Sequence, residues 1–255
     1  MLMLKKVVLL LLLIPAFAVQ AEEMPAPSVF AVTTYTVNPG TAPMFEQLVL
    51  RYKAAAEKLG GRPGWFAYSP GIGNDLQYDF AAPVASFGMF ADMSDDVVTA
   101  FGMEEAQKMA ALARESIANV ESYVVALRPD LGIAAPERDT PAEMTFAYSI
   151  IVKPGRNADW EASMANVIEA SKKVTPDVYW STFQGGIAAT NLYAIRVNLD
   201  WTDMDTPAMS VQDRLIAAFG ERKGKQMWDE NSDMVESIET SVSRLRLDLS
   251  NVPAS

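Results

Sequence analysis

The sequence predicts an α+β fold built from two tandem copies of one βαββαβ unit. Three observations carry that prediction. The first is an internal repeat: the strand-Pro-Gly segment Tyr35-Thr36-Val37-Asn38-Pro39-Gly40 has its counterpart in Ile150-Ile151-Val152-Lys153-Pro154-Gly155, 115 residues later. Trp65 and Trp180, Gly71 and Gly186, and Tyr78 and Tyr193 keep the same offset of 115, while Ala100-Phe101-Gly102 returns at 118 as Ala218-Phe219-Gly220. The second is that each copy alternates between strand and helix periodicity in the same order. The third is that half of the 255 residues are hydrophobic and none is cysteine, so the fold is held by burial rather than disulfides.

The first copy runs from about Val29 to Leu131. Phe30 to Val37 is rich in β-branched and aromatic residues and reads as a strand. Pro39-Gly40 stops it, and a helix opens near Thr41 with Pro43 tolerated in its first turn. Phe45, Leu48, Val49, Tyr52, Ala55, Ala56 and Leu59 fall three and four apart as one apolar stripe, and Gly60-Gly61 ends the helix. Trp65 to Ser69 and Leu76 to Phe90 read as two strands, joined by the turn residues Pro70 to Asp75. A short helix near Asp95 to Phe101 follows, then a longer one from Glu104 with Ala106, Met109, Ala110, Ala113 and Ile117 as its stripe. Glu121 to Arg128 closes the copy as a strand.

The second copy repeats the order. Phe146 to Val152 is a strand, and Trp160, Met164, Val167, Ser171 and Val174 mark a helix. Val178 to Phe183 and Asn191 to Trp201 form a hairpin, Leu215 to Phe219 and Met227 to Ile238 are helical, and Glu239 to Asp248 is the last strand. The domain boundaries that follow are a leader over 1–21, a first unit over 22–131, a linker over 132–143 with two prolines, and a second unit over 144–255.

The order βαββαβ is the ferredoxin-like arrangement, in which helices cover one face of a four-stranded antiparallel sheet. Aromatic residues at alternate strand positions suggest that the other face is partly apolar too. Packing sheet against sheet as one pseudo-dimeric α+β barrel is the expected way to hide both. On the βαββαβ order, the strand-Pro-Gly-helix step and the tandem copy, the chain resembles the dimeric α+β-barrel superfamily, which includes proteins like the antibiotic-biosynthesis monooxygenases. The resemblance lies in the fold, which hosts many activities. Several of its branches use a histidine, for haem or for acid–base work, and this sequence has no histidine.

Composition narrows the chemistry further. Without His, neither a Ser-His-Asp triad, a histidine-ligated haem nor the ordinary zinc site can form, so any acid or base is Asp, Glu, Tyr, Lys or Arg. The reading therefore assigns no cofactor and no metal. Asp92, Asp95, Asp96, Asp200, Asp203 and Asp205 lack the spacing of a calcium loop and read as helix caps. Gly71-Ile72-Gly73-Asn74 lacks the third glycine and the lysine of phosphate-binding loops.

Lys5-Lys6, the apolar run Val7 to Ile14 and the small residues around Ala18 to Ala21 read as a secretory signal cleaved after Ala21, which places the chain in a bacterial periplasm or outside the cell. Cleavage leaves 234 residues and moves the formal charge from −11 to −13 by removing two lysines. So acidic a surface disfavours nucleic acid and anionic membranes, and the expected state is a monomer or homodimer.

Candidate site residues are the repeated aromatics and the charged strand residues. Trp65 and Trp180 offer stacking walls or plain packing, and Tyr78 and Tyr193 offer hydroxyls. Gln77 and Asp79 share the face of their strand opposite Tyr78, and Arg196 and Arg244 could reach an anion by paired hydrogen bonds. Arg128 is the counterpart of Arg246. The leading functional reading is a protein that binds a small apolar or aromatic molecule in a cavity between the two sheets. A cofactor-independent oxygenase or isomerase, and a structural protein with a filled barrel, remain as alternatives.

Overall fold

The structure is a computed structural model and describes residues 29–59, 64–72, 76–84, 96–136, 142–186, 189–206 and 208–252. The leader expected over 1–21 lies outside the described residues, as do Asp92, Asp95 and the tip of the turn after Pro70. The strands are β1 (Val29–Val37), β2 (Phe66–Ile72), β3 (Gln77–Pro83), β4 (Ile117–Leu127), β5 (Met144–Val152), β6 (Ser181–Gly185), β7 (Leu192–Leu199) and β8 (Val235–Leu245). The helices are α1 (Ala42–Leu59), α2 (Asp96–Phe101), α3 (Met103–Ser116), α4 (Asn157–Val174), α5 (Val211–Phe219) and α6 (Glu221–Asp233). The eight strands are hydrogen-bonded neighbours in the closed order β1-β3-β2-β8-β5-β7-β6-β4, an antiparallel barrel. No helix among the described residues is long and apolar enough to cross a membrane.

The chain divides into two compact units. The first takes the described residues up to 70, those from 76 to 124, and 245–252. Within it β3 lies between β1 and β2, with Tyr35 opposite Tyr78 and Ala67 opposite Phe80. The stripe on α1 buries Phe45, Leu48, Val49, Ala55 and Ala56, as its three-and-four spacing predicts. Phe45 and Val49 join Tyr35, Val37, Trp65, Tyr78 and Leu249 in one core cluster, and Leu48 meets Met109 and Ala113 of α3.

The second unit takes 71–72 and Val125 to Arg244. Here β5 lies between β8 and β7, with Tyr148 opposite Thr240 on one side and Ile195 on the other. Trp160, Met164 and Val167 of α4 pack on Ile150, Val152 and Tyr193. The end of β4 belongs to this unit and pairs with β6, Leu127 opposite Phe183.

Each unit is closed by the chain that follows the other copy's last strand. Leu249 packs in the core of the first unit, and its carbonyl accepts a 3.0 Å hydrogen bond from the Trp65 indole. Leu131 packs in the core of the second, and its carbonyl accepts a 2.9 Å bond from the Trp180 indole. The repeated tryptophans thus grip equivalent tails, Asn251 bridging Trp65 and Ile133 bridging Trp180. A buried indole N–H needs such an acceptor, which gives these positions a structural reason to repeat.

Two expectations shift. The helix expected over Met227 to Ile238 ends at Asp233, because Val235 already pairs with Val152 as the start of β8. The helix stripe expected to reach Ile117 is shorter too, because Ile117 is the first residue of β4. The sheet face turned away from the helices is partly apolar: in the first unit it carries Phe30, Val32, Phe66, Tyr68 and Ala81 beside Gln77 and Asp79, and in the second unit Ile151, Leu192 and Ala194 beside Thr145, Ser149, Arg196, Asn198, Ser241 and Ser243, with Thr145 donating to Asn198. The aromatics Tyr35, Tyr78 and Phe80 alternate onto the helix side.

The Ala-Phe-Gly repeat has a backbone cause. Gly102 (φ 86°, ψ 170°) separates α2 from α3, and Gly220 (φ 85°, ψ 156°) separates α5 from α6. That region of backbone space is essentially closed to residues with a Cβ. An added Cβ at Gly220 meets nothing within 4 Å, so Gly220→Ala isolates the backbone effect. It should lower stability by about 1–3 kcal/mol. A urea midpoint equal to wild type would contradict this.

Candidate functional site

A pocket of about 90 Å³, partly open to solvent, lies in the first unit between α1 and the helix side of the sheet. β1 supplies Ala31, Thr33 and Tyr35; β3 supplies Phe80 and Ala82; Trp65 stands just before β2; and α1 supplies Phe45, Leu48, Val49 and Tyr52. The strand residues converge because they share one parity, and the helix residues because they share one stripe. This is a different place from the cavity expected between the sheets.

The aromatic lining is ordered. Tyr35 stands edge-on to Phe80 at 5.5 Å (88°) and lies 5.3 Å from Phe45, which is fully buried. Such tilted and edge-on contacts suit the ring quadrupoles. The Tyr35 hydroxyl has no hydrogen-bond partner among the described residues, and burial, aided by neighbouring Tyr52, holds its pKa well above the ordinary tyrosine value. It therefore stays protonated and offers a donor. Apart from the Thr33 and tyrosine hydroxyls the lining is apolar, and it contains no carboxylate.

The second copy places larger residues at one end of the equivalent space. At the 115 offset Ala31 becomes Phe146, Thr33 becomes Tyr148 and Ala82 becomes Val197. Phe146 and Tyr148 contact each other, ring centroids 4.9 Å apart.

Beside the cores sit two matching polar clamps. In the first unit Glu46 of α1 accepts from Tyr78 Oη at 2.9 Å and from Arg246 at 2.6 and 3.0 Å. The Nε/Nη2 edge of Arg246 is held by Asp248 at 2.9 and 2.7 Å. In the second unit Glu161 accepts from Tyr193 at 2.6 Å and from Arg128 at 2.8 and 2.9 Å, and Asp130 takes the Nε/Nη2 edge of Arg128 at 2.9 and 2.8 Å. Hydrogen bonds from the arginines hold Glu46 and Glu161 below the usual carboxylate range. Burial, then the bond to Glu46, pushes Tyr78 up to about 12, and Tyr193 is raised for the same reasons.

Of the residues singled out in sequence, Trp65 lines the cavity, and Trp180 is buried in the second core. The Tyr78 and Tyr193 hydroxyls are engaged by the clamp glutamates. Gln77 and Asp79 lie on the opposite face of β3, where Asp79 accepts from Thr34 at 2.7 Å and from Gln77 at 3.3 Å. Arg196 is half-buried on β7, and Arg244 is exposed on β8. Among the described residues no three acidic side chains converge as a metal site, and Asp200 and Asp203 form a reciprocal cap on the short helical turn Trp201–Asp205.

Sequence reasoning missed Tyr35, Tyr52, Phe80 and Thr33 as lining residues. The signal was there in the parity of β1 and β3 set against the α1 stripe, and in small residues replaced by large ones at the 115 offset. Glu46 and Glu161 were missed too, although they keep the same offset.

No family model matches the sequence, and no curated protein matches it. Solved structures do share the fold. A monooxygenase-like protein from Fusobacterium nucleatum aligns with a TM-score of 0.54 and 11% identity, over 91% of this chain and 97% of that one. An anthrone oxidase-like protein aligns at 0.53 with 10% identity, over 87% and 92%. A chlorite dismutase mutant from Candidatus Nitrospira defluvii, in complex with cyanide, aligns at 0.52 with 10% identity, over 88% and 93%. The chain has the dimeric α+β-barrel fold.

Proposed function

We propose that this is a small-molecule-binding protein whose ligand, a single-ring aromatic or similarly flat apolar molecule with a hydrogen-bond acceptor, sits beneath α1 in the first unit. The carrying observation is the aromatic cavity with the Tyr35 hydroxyl as an unengaged donor. Concave, mostly apolar sites with few polar groups are where such ligands bind. The space of about 90 Å³ is smaller than the roughly 150 Å³ cavity that encloses a benzene, so a single ring fits only by extending through the pocket's open side. The reading includes export, supported by Lys5-Lys6 and the apolar run after them.

The fold is also that of monooxygenase-like proteins, so a cofactor-independent oxygenase is the second reading. It fits the lining less well. Both clamp glutamates are committed to arginine, no carboxylate faces the cavity, and Tyr35 is a poor base when burial keeps it protonated.

The test grafts the second copy's plug into the first. Ala31→Phe restores the residue found at Phe146, and its overpacking cost should stay within about 1–3 kcal/mol. Acetophenone, a ring with one acceptor, should bind wild type in ligand-observed NMR and bind A31F at least about tenfold more weakly. Equal binding to both would overturn the assignment, and so would no binding to a folded wild-type protein. Oxygen uptake with acetophenone or a phenol bound would favour the second reading.

A further inference from the structure

Two walls of the pocket beneath α1, the helix itself and Trp65, are fastened to one segment, the tail over 246–251 that follows β8. Trp65 and Asn251 exchange backbone hydrogen bonds at 2.8 and 3.0 Å, and the Trp65 indole donates to the Leu249 carbonyl at 3.0 Å. Two residues on, the Ala67 carbonyl accepts from the Arg246 backbone at 2.9 Å, and the Ala67 N–H donates to the Ser250 hydroxyl at 2.9 Å. With so many bonds between them, Trp65 and the tail move as one body.

The tie from the tail to α1 is made by side chains. Glu46 of α1 accepts from Nη1 and Nη2 of Arg246 at 2.6 and 3.0 Å. Asp248 holds the Nε/Nη2 edge of the same guanidinium at 2.9 and 2.7 Å. A planar fork gripped on two edges is a spacer of fixed length between helix and tail. The other tie is Lys53 Nζ on the Asp248 carbonyl at 3.0 Å, a single exposed bond that contributes less than paired bonds between charged groups. Glu46 also accepts from Tyr78 Oη at 2.9 Å, and the Tyr78 ring backs Phe45 of the pocket at 4.8 Å between centroids. One carboxylate thus bears on Phe45 directly and on Trp65 through Arg246.

We propose that Glu46 and Arg246 are positioning residues for the ligand beneath α1, holding the helix and Trp65 at the spacing that closes both walls on it. The inference rests on the reading of that pocket as a binding site. Neither residue lines the pocket, so neither touches the ligand. They act through contact distance: dispersion falls off steeply over a gap of an ångström or less, so a ligand between walls that have moved apart loses much of its attraction. The clamp around Glu161 makes the same bonds in the second unit and contributes nothing to this lining, which makes it a control of identical chemistry.

The test measures acetophenone affinity in the full chain. Glu46→Ala should weaken binding at least about fivefold, and Glu161→Ala should leave it within about twofold of wild type. Arg246→Lys keeps the charge without the paired bonds and should also weaken binding, while the double variant E46A/R246K should bind no more weakly than E46A alone, since both changes cut one tie. The Trp65 indole N–H resonance, assigned by its loss in Trp65→Phe, should shift in unliganded E46A and stay in place in E161A. Wild-type affinity in E46A would overturn the proposal. So would equal losses in E46A and E161A, the mark of general destabilisation, or additive losses in the double variant. If E46A does not fold, R246K set against E161A gives the same decision. A wild-type protein that binds no acetophenone removes the pocket reading and this inference with it, whereas normal wild-type binding with an unaffected E46A removes the inference alone.

Discussion

Trp160→Ala should cost about 3–5 kcal/mol of stability, the largest single-residue loss expected in this protein. The side chain is 1% exposed, packs 4.4 Å from the Tyr193 ring and sits with Met164, Val167 and Ile150 in the core of the second unit. Removing it forfeits the transfer energy of an indole and leaves a hole that strands β5 and β7 cannot collapse without breaking their pairing. Its counterpart Phe45 is equally buried, yet it already borders the cavity beneath α1. Phe45→Ala therefore enlarges an existing space rather than opening a new one, and its loss should fall at the lower end, about 3 kcal/mol. Urea unfolding of both variants measures the difference. A larger loss in F45A than in W160A would mean that the two cores are not ordered as described.

The second large effect is in the clamps. Glu161→Ala removes the acceptor shared by Arg128 and Tyr193, leaving Arg128 with Asp130 and Gln184 and the Tyr193 hydroxyl with Gln184 alone. Bonds to a charged group in this partly exposed setting suggest a loss of about 1.5–3 kcal/mol, the exposure keeping it below that of a fully buried pair. The clamp also sets a pH dependence with a definite sign. Glu161 and Glu46 have folded pKa values below their ordinary 4.5, so their contribution is complete above that value and is lost as pH falls through the lowered ones. The tyrosines act at the other end. Tyr78 has a folded pKa of about 12 against an ordinary 10.0, so its contribution is complete below 10 and is lost as pH rises toward 12. E161Q with E46Q should flatten the acid limb of a stability–pH curve below pH 4.5. An acid limb as steep as wild type would remove the clamps from the account.

Much of this architecture is legible locally. The α1 and α4 stripes bury Phe45 and Trp160 as their spacing requires, and Pro39-Gly40 and Pro154-Gly155 end β1 and β5 with Gly40 and Gly155 at positive φ. The Asp200 cap is readable in the same way, because its partners lie within three residues. The site is less legible. Trp65, Tyr78 and Tyr193 stood out as repeated aromatics, but repetition alone could not separate a wall of a cavity from a grip on the chain. The structure makes Trp65 both.

On its own, the sequence determined the order of elements and the buried faces of α1 and α4, since periodicity acts over one or two turns. Only the tertiary structure decided what meets those faces. Glu46 finds Arg246 across 200 positions, and Trp65 finds Leu249 across 184. Which tail closes which core, and where a cavity is left beneath α1, depends on how the chain pairs over such distances, and that is not encoded in any local spacing.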